Sequence, residues 1–502
     1  MNDEIETLPD DIEQLKVMLL AEREQSAKQA ARLMFLEEQF RLAQQQRFGA
    51  SSEGHPAQGD LFNEAEAELD IAPEVTEDVA ATVKKKPIRK KLPADLPRET
   101  IIHDIEDKTC ACCGNELHQM GDERCEKLEF IPAQVKVIEH VRLKYSCRTC
   151  EQTGTSTQIK IAPLPPSPIP KGIATATLLS QIITSKYQYA LPLYRQESLF
   201  KQYGIALSRK TMADWMLKCA DLFKPLYTRL QEILLQQGVI QADETTLKVI
   251  NEDKVKSYMW LYCTGTDSPT ENNLPNIVLY DYQSGRAGQC AVDYLDGYTG
   301  YLQVDGYAGY EKTSATLVGC WAHARRKFIE AQTAQAKGKT GKADMALSMI
   351  QKLYRLEISL KDKSVEEKHQ LRQEKSKPLL VKFYQWLEKA NVPPKTALGK
   401  AIQYCKNQWH KLIRYIENGN LSIDNNRAER AVKPFVIGRK NWLFSTTANG
   451  AKASAMLYSI IETAKANGLI PFDYIAHCLE QYSKDPSDID SLLPWNVKLN
   501  AV

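Results

Sequence analysis

The segment Gly238-Val-Ile-Gln-Ala-Asp-Glu-Thr-Thr-Leu-Lys-Val-Ile250 decides how this chain is expected to fold. Apolar and β-branched residues alternate in it with polar ones, which is the pattern of a β-strand. Two more short strand patterns follow at Tyr258–Cys263 and Asn276–Tyr280. A helical stretch at Ala287–Tyr294 then leads to another strand at Gly300–Tyr307. Three strands, a helix and a further strand predict an α/β sheet.

Two acidic residues lie on these predicted strands. Asp243 lies in the first strand and Asp305 at the end of the fourth. This order of elements is that of a ribonuclease H-like core, in which neighbouring strands put the two carboxylates side by side. Such a pair repels unless cations neutralise it, and hard oxygen ligands favour Mg²⁺ or Mn²⁺. A pair of these ions can activate the attacking oxygen and stabilise the leaving oxygen of an in-line phosphoryl transfer.

A third acidic group is needed to complete the metal cage, and the candidate is Glu429. In its segment Asp424 or Asn425 is expected to cap a helix, and cations surround the one internal acid. A lone carboxylate among cations is more often an ion-pair partner than a catalyst. Here Gly438-Arg-Lys-Asn-Trp-Leu-Phe444 adds further cations, and the combination suits an acid that meets DNA phosphates and metal.

Two Cys-x-x-Cys pairs lie upstream, at Cys110 and Cys113 and at Cys147 and Cys150. Four thiolates at this spacing predict one structural Zn²⁺, because a closed tetrahedral site leaves no position for substrate. Cys112 is a competing ligand at the first pair. The residues between the pairs, 127–145, alternate like two strands, as in a zinc-ribbon-like module. Four unrelated buried cysteines are the alternative.

Before the cysteines, a helical pattern gives way to segregated charge. Ile12, Leu15 and Leu19 occupy a and d heptad positions, which predicts a coiled-coil helix, or alternatively a helix docked on its own protein. From Phe48 to Val83 there is no Lys or Arg, and the stretch is typical of a disordered acidic linker. The basic residues that follow are candidates for phosphate contacts: Lys84, Lys85, Lys86, Arg89, Lys90 and Lys91.

Between the cysteines and the strands, two amphipathic stretches at Leu191–Tyr203 and Ser208–Gln236 predict helices. Ser208 is a good N-cap for the second. The layout is that of a helix-turn-helix, with Arg209 and Lys210 in the first turn of the helix that would read DNA. A plain helical hairpin fits the pattern equally well.

Charge and hydropathy exclude two classes of protein. The chain has 502 residues, and Lys+Arg 65 against Asp+Glu 63 give a net charge of +2, which excludes a wholesale polycation but not a local basic surface. No run approaches the roughly 18 apolar residues of a membrane helix, and the acidic start lacks the features of a signal peptide. We therefore expect a cytoplasmic protein without a membrane partner.

Taken together, the motifs resemble those of the DDE transposases of the insertion sequence 66 family, the large transposases of those bacterial elements. The matching motifs, besides the paired cysteines, are Arg47-Phe-Gly-Ala-Ser-Ser-Glu53, Leu191-Pro-Leu-Tyr-Arg-Gln196, Gln241-Ala-Asp-Glu-Thr245, Val304-Asp-Gly-Tyr307, Cys320-Trp-Ala-His-Ala-Arg-Arg-Lys-Phe328, Asn425-Asn-Arg-Ala-Glu-Arg430 and Gly438-Arg-Lys-Asn-Trp-Leu-Phe444. The resemblance covers nearly the whole chain.

The resemblance implies that Asp243, Asp305 and Glu429 are the catalytic triad and that they bind two Mg²⁺ (or Mn²⁺) ions per active site. It implies cleavage at terminal inverted repeats and strand transfer to target DNA, a homo-oligomer on DNA, and accessory proteins encoded by the same element. Two alternatives remain: a non-catalytic zinc-dependent DNA-binding regulator, and a ribonuclease H-like nuclease without joining activity.

Cys320 and His323 resemble half of a metal site, and we interpret them as packing and positioning residues of the fifth strand, with a DNA or metal contact as the alternative. Further DNA contacts are expected at Arg325, Arg326, Arg427, Arg430, Lys433, Arg439 and Lys440. The expected organisation is a coiled-coil helix at 8–47, a linker at 48–92, a zinc-binding module at 93–160, a helical DNA-binding region at 171–236, a ribonuclease H-like DDE core at 237–328 and 419–468, a helical insertion at 329–418 and a C-terminal tail region at 469–502.

Overall fold

A computed structural model describes residues 11–48, 99–102, 112, 135–146, 159–252, 256–265, 275–335, 341–485 and 487–499. The chain divides into two compact units, one of residues 73–163 and the other of residues 1–72 with 164–502. None of the described helices has both the length and the apolar character that a membrane span requires. The acidic-to-basic linker at 48–92 lies outside the described residues, apart from Phe48.

Helix α1 (Ile12–Phe48) covers residues 12–47 of the helix predicted at 8–47, and residues 8–10 lie outside the described residues. Its apolar residues Leu19, Leu33 and Leu36 remain exposed. Towards its C-terminus, the Glu38 carboxylate accepts a hydrogen bond from the backbone N–H of Ala397 at 2.7 Å, and Arg41 donates to the Ala334 carbonyl at 3.3 Å. The later part of the helix therefore docks on its own unit, as one alternative expected. Coiled-coil pairing stays a prediction.

In the unit of residues 73–163, strand β1 (Lys144–Tyr145) pairs antiparallel with strand β2 (Lys160–Ile161). The sequence pattern predicted two strands within residues 127–145, and for 135–143 that prediction is wrong. A strand needs a hydrogen-bonding neighbour. Among the described residues of this unit, only Lys144 and Tyr145 find one in that stretch.

Three helices precede the sheet: α2 (Ala176–Tyr187), α3 (Leu193–Gln202) and α4 (Arg209–Leu235). The last two follow the predicted stretches, and Ser208 caps α4 by accepting a hydrogen bond from the Thr211 N–H at 3.1 Å. Helix α4 buries Trp215 and Phe223 in the same hydrophobic core as the sheet. These helices therefore support the sheet, and their role in reading DNA stays a prediction.

A mixed five-stranded sheet forms the centre of the unit of residues 1–72 and 164–502, which confirms the mixed α/β class. Its strands are β3 (Val239–Leu247), β4 (Ser257–Thr264), β5 (Ile277–Gln283), β6 (Tyr301–Gln303) and β7 (Thr316–Val318), with helix α5 (Gly288–Tyr294) between β5 and β6. They lie in the order β5-β4-β3-β6-β7. The first three strands are antiparallel neighbours, and β3, β6 and β7 run parallel. The long strand β3 is central.

Residues after β7 form a helical region with a second hydrophobic core. Its helices are α6 (Trp321–Thr333), α7 (Lys342–Ser359), α8 (Val365–Leu371), α9 (Lys377–Lys389) and α10 (Ala397–Leu412). Trp321 and Phe328 of α6 pack against Phe383 of α9 in T-shaped contacts. We predicted that a helical insertion begins at residue 329. The second core already includes residue 321, so α6 belongs both to this region and, through its first turn, to the surroundings of the sheet.

A buried arginine fixes the loop that leads out of this helical region. Arg372 lies in a π-helical turn (Arg372–Ser376) and is 3% exposed. It donates to both Glu357 carboxylate oxygens, at 2.6 and 3.0 Å. It also donates to the backbone carbonyls of Tyr415, Asn418 and Leu421, each at 2.9 Å. All five N–H groups of its guanidinium therefore have acceptors. Three of these acceptors are carbonyls of the loop that precedes helix α11 (Asn426–Trp442).

The edge of the sheet at β5 is covered by helix α12 (Ala448–Ala466) rather than left open. The Ser459 hydroxyl accepts from the Tyr280 N–H at 2.8 Å. The Thr463 hydroxyl accepts from the Val278 N–H at 3.1 Å and donates to the Val278 carbonyl at 2.9 Å. Hydroxyl groups of α12 thus bind backbone groups of β5 that a further strand would otherwise pair.

Beyond α12, the predicted tail region contains helix α13 (Pro471–Lys484), which buries Tyr474 and Leu479 in the main core.

Thr463→Val is expected to lower the free energy of unfolding by about 1–3 kcal/mol, because valine keeps the shape but leaves the Val278 N–H and carbonyl buried without partners. Urea unfolding followed by circular dichroism would measure this. Thr333→Val is the matched control, since Thr333 is exposed and its hydroxyl only donates to carbonyls of its own helix. Equal unfolding midpoints for the two variants would contradict the role assigned to Thr463.

Candidate active site

Asp243 and Asp305 lie at matching levels of neighbouring strands. β3 and β6 pair in parallel with Gln241 opposite Gln303, and the same register continued by two residues brings Asp243 level with Asp305. Asp243 belongs to β3, whereas Asp305 follows the end of β6 and accepts a hydrogen bond from the Tyr307 N–H at 2.8 Å. The structure therefore brings the first two predicted acids together.

Helix α11 brings Glu429 to the same place. The Asn425 side-chain amide donates to the Ala242 carbonyl at 2.8 Å, which ties the start of the helix to β3 beside Asp243. Glu429 lies in the first turn and is 8% exposed. The expectation that Asp424 or Asn425 caps this helix with its side chain needs correction. Asn425 holds the N-cap position without a capping hydrogen bond, because its amide is used to anchor the helix to the strand.

The three carboxylates repel each other in a largely buried setting. Burial raises the pKa of Asp243 well above its usual range, and the charges of Glu244, Asp305 and Glu429 raise it further. Burial also raises the pKa of Glu429 to about 7, although nearby Arg326 lowers it. Oxygen ligands with unfavourable mutual charge are what a divalent cation stabilises.

One orphaned atom also fits a bound cation. The Glu429 Oε1 atom is buried and has no hydrogen-bond partner among the described residues. A buried carboxylate oxygen left in this state is costly unless something absent from the protein chain satisfies it. Asp243, Asp305 and Glu429 offer the hard-oxygen donors that Mg²⁺ or Mn²⁺ prefers, and Glu429 Oε1 itself lies 3.5 Å from His323 Nδ1.

Sequence reasoning missed Glu244, which follows Asp243 on the opposite face of β3. Its side chain is 2% exposed and forms an ion pair with Arg286. The Arg286 Nε atom donates to it at 2.8 Å, and the Tyr310 hydroxyl donates at 2.6 Å. Arg286 also stacks over the Tyr307 ring, 3.8 Å from its centroid. The adjacent acid in Gln241–Thr245 was the available signal, and its role is to anchor the strand behind Asp243.

The cations near Glu429 that we predicted to contact DNA differ in exposure and in side-chain partners. Arg430 and Lys440 are exposed, and Arg325 and Lys433 are half-buried. The Arg326 Nη2 atom lies 3.6 Å from Glu429 Oε2. Arg439 donates to the hydroxyls of Thr245 and Thr246 at 3.2 and 3.0 Å.

The setting of Arg427 differs from the expectation. Its side chain is 6% exposed and donates to the Thr264 carbonyl at 3.1 Å. A guanidinium held in this way positions helix α11 against β4 and is not presented to phosphate. We therefore leave Arg427 out of the DNA-contacting set.

Cys320 and His323 do not lie on the fifth strand, so that placement is wrong, whereas their packing and positioning role stays a prediction. β7 ends at Val318, Cys320 is the N-cap residue of α6, and His323 lies in its first turn. His323 Nδ1 is 3.5 Å from Glu429 Oε1. The backbone N–H of Asn425 donates to the Cys320 sulfur at 3.2 Å. Both residues therefore contact the start of α11.

The four cysteines of the predicted zinc module, Cys110, Cys113, Cys147 and Cys150, lie outside the described residues, as do the basic residues 84–91. Cys112 is described and exposed. Arg209 and Lys210 are both exposed at the start of α4.

Comparisons with known proteins converge on one family. A family model described as "Transposase IS66 family" matches residues 171–453, more than half of the chain. A model of the "zinc-finger binding domain of transposase IS66" matches residues 107–151, which include all four predicted zinc ligands. The descriptions "Transposase C of IS166 homeodomain" and "IS66 C-terminal element" match residues 35–101 and 459–495.

Similar full-length relatives come from Sinorhizobium fredii (strain NBRC 101917 / NGR234). The uncharacterized protein y4jD is 31% identical over 99% of this chain and 98% of its own length. The uncharacterized protein y4qI is 32% identical over the same shares of both chains. No solved structure matches.

Proposed function

Because the chain belongs to the transposase IS66 family, we propose that it cuts DNA at the terminal inverted repeats of an insertion sequence and joins the cut ends to target DNA. A transposase acts on DNA, and the zinc-finger and family matches support DNA as the partner. The observation that carries the proposal is the meeting of Asp243, Asp305 and Glu429 at the centre of the sheet.

We propose that the sheet is a ribonuclease H-like core. The order β5-β4-β3-β6-β7, with three antiparallel strands followed by parallel ones, supports this assignment. In it the first acid lies on the central strand, the second follows the neighbouring strand, and the third enters on a helix. The sheet register, continued beyond Gln241 and Gln303, supports the first two positions, and the hydrogen bond from Asn425 to Ala242 supports the third.

The three carboxylates would hold the two divalent cations that the family resemblance implies. When bound, such ions supply the positive charge that activates the attacking oxygen and stabilises the leaving oxygen of an in-line displacement at phosphorus. The chain's own contribution is geometric: β3 and helix α11 hold the acids, and Arg372 and Asn425 hold the helix. Arg430 and Lys440 are exposed, and we expect them to contact DNA phosphates.

Cleavage and joining can share this site because both are in-line displacements at phosphorus, first by water and then by a 3′-hydroxyl. Incubation of end-labelled inverted-repeat DNA with the full chain and Mg²⁺ tests the first step. We expect a nick at the element boundary, and none after chelation with EDTA. DNA that is bound specifically but never cut, with or without the accessory proteins, would favour the regulator alternative.

We further propose that one structural Zn²⁺ is held by Cys110, Cys113, Cys147 and Cys150. Cys147→Ser is expected to remove this zinc and to weaken binding of end DNA toward nonspecific binding, which is at least about a thousandfold weaker. Metal analysis and gel-shift titration would measure both effects. Cys112→Ser is the matched variant and is expected to keep zinc and affinity. Retention of both by Cys147→Ser would rule out this ligand set.

A further inference from the structure

Two residues beside the proposed catalytic site, Cys320 and His323, lie close to Glu429 of that site. The Cys320 sulfur, a ring nitrogen of His323 and a carboxylate oxygen of Glu429 all lie within 4.8 Å of one another. Cys320 and His323 come from the start of α6, and Glu429 from the first turn of α11. Two helix starts therefore converge, and the second half of the Cys-x-x-His motif is Glu429.

The distances between the three ligand atoms suit tetrahedral coordination of one ion. Ligands about 2.0–2.1 Å from Zn²⁺ lie roughly 3.3 Å apart along the edge of a tetrahedron. His323 Nδ1 and Glu429 Oε1 are 3.5 Å apart. An edge that includes a sulfur is about 3.6 Å long. The three atoms lie within 4.8 Å of one another, so the Cys320 sulfur has to move closer by at most about 1.2 Å, which a side-chain adjustment supplies.

Two of these ligand atoms face each other without a hydrogen bond to any described residue. His323 Nδ1 and Glu429 Oε1 are both buried without a hydrogen-bond partner among the described residues. At 3.5 Å they are too far apart for a good hydrogen bond to each other. A cation between them would satisfy both atoms at once.

Cys320 and His323 supply donor atoms that favour a different metal ion from the one that the carboxylates of Asp243 and Asp305 favour. Thiolate and imidazole are preferred by Zn²⁺, whereas Mg²⁺ takes oxygen ligands. The backbone N–H of Asn425 donates a hydrogen bond to the Cys320 sulfur at 3.2 Å, which holds the sulfur at the start of α11. Arg326, the nearby cation, approaches the other carboxylate oxygen, Oε2. The ion and the guanidinium can therefore use opposite oxygens of Glu429.

We propose that Cys320, His323 and Glu429 form a binding site for Zn²⁺ that competes with the catalytic carboxylates for Glu429. Three protein ligands leave one coordination position open, so the ion exchanges with solvent, unlike that of a closed four-cysteine site. While Zn²⁺ is bound, Glu429 is drawn toward α6 and away from Asp243 and Asp305. Zn²⁺ then inhibits cleavage. The inhibition rests on the proposed function, whereas the binding does not.

Cobalt binding by the full chain tests the site without any activity assay. Co²⁺ replaces Zn²⁺ at such sites, and thiolate ligands give it charge-transfer absorption. We expect two Co²⁺ ions with thiolate charge-transfer absorption, one in the cysteine module and a second here. Cys320→Ser and His323→Gln are expected to lose the second ion. Its affinity should fall by more than the about 10–100-fold that a change outside the ligand shell costs.

Cys405→Ser is the matched control, because Cys405 is also a fully buried cysteine but lies in the second core. It is expected to keep both ions. Serine at position 320 retains an acceptor for the Asn425 N–H, and a circular dichroism melt identifies any variant that fails to fold. His323→Gln provides an independent test on a half-buried side chain. The same number of thiolate-bound Co²⁺ ions in wild type, Cys320→Ser and His323→Gln overturns the site.

The inhibitory consequence is measured by adding Zn²⁺ to the Mg²⁺-dependent cleavage reaction. Wild type and Cys405→Ser should be inhibited, and the residual activity of His323→Gln should require at least tenfold more Zn²⁺. Equal inhibition of wild type and His323→Gln overturns the competition. A chain that binds the second Co²⁺ but never cuts DNA would refute the proposed function and leave the metal site standing.

Discussion

Replacing any one of Asp243, Asp305 and Glu429 by its amide, as Asp243→Asn, Asp305→Asn or Glu429→Gln, is expected to slow DNA cleavage and joining by about a hundred to a thousandfold or more. Each change removes a negative charge and a hard oxygen ligand while keeping the size of the side chain. The strands and helix that hold the acids remain, so binding of end DNA should stay within about twofold of wild type. Gel assays of nicked and joined products, beside gel-shift titrations, would measure the two properties separately.

The matched control for Glu429→Gln is Glu462→Gln. Glu462 is another glutamate that is 8% exposed, and it forms an ion pair with Lys465 on helix α12. We expect this variant to cleave and join at close to the wild-type rate. If Glu429→Gln and Glu462→Gln behaved alike, the assignment of Glu429 would be wrong. If the three amide variants lost nothing at all, the regulator alternative would replace the enzyme.

Arg372→Ala is expected to destabilise the helical region by about 3–5 kcal/mol, the usual cost of breaking a buried ion pair from one side. The change leaves Glu357 as an uncompensated buried charge and deprives the carbonyls of Tyr415, Asn418 and Leu421 of their donor. Because that loop leads to Asp424 and helix α11, the activity should fall as well. Urea unfolding followed by circular dichroism gives the change in free energy.

Arg355→Ala serves as the control for Arg372→Ala, since Arg355 is an exposed arginine of helix α7. Surface changes of this kind usually stay within about 0.5 kcal/mol. An Arg372→Ala variant as stable as Arg355→Ala would show that the loop before α11 is held by other contacts. Arg372→Lys is expected to rescue little, because an ammonium lacks the planar fork that reaches both Glu357 and the carbonyls.

The sheet strands and helix α4 could be predicted from local patterns. Strands β3, β4 and β5 alternate or are continuously apolar, and Ser208 is a strong N-cap, so short-range rules suffice. Helix α2 lies within the region predicted to be helical, 171–236, but its own bounds were not predicted. It includes Ile182, Ile183 and Thr184, which favour strands locally, and all three are buried, so no polar face reveals a helical period. Tertiary burial overrides propensity there.

The candidate site could be predicted only in part. Asp243 and Asp305 follow from strand order, because adjacent strands bring them together. The environment of Glu429 could not be predicted, since it depends on helix α6, which returns Cys320 and His323 to the start of α11 through long-range packing. Glu244 was missed because an acid beside Asp243 suggests a surface group until the opposite face of β3 is known to hold Arg286 and Tyr310.

The most direct test of the central claim is strand transfer from a pre-cut inverted-repeat end with a free 3′-hydroxyl into supercoiled plasmid, with Mg²⁺ as the added metal and the element's accessory proteins supplied. We expect joined product from the wild-type chain and none from Glu429→Gln at equal DNA occupancy. Cutting of the plasmid without joining would identify the nuclease alternative. Joined product from Asp243→Asn, Asp305→Asn and Glu429→Gln alike would contradict the triad.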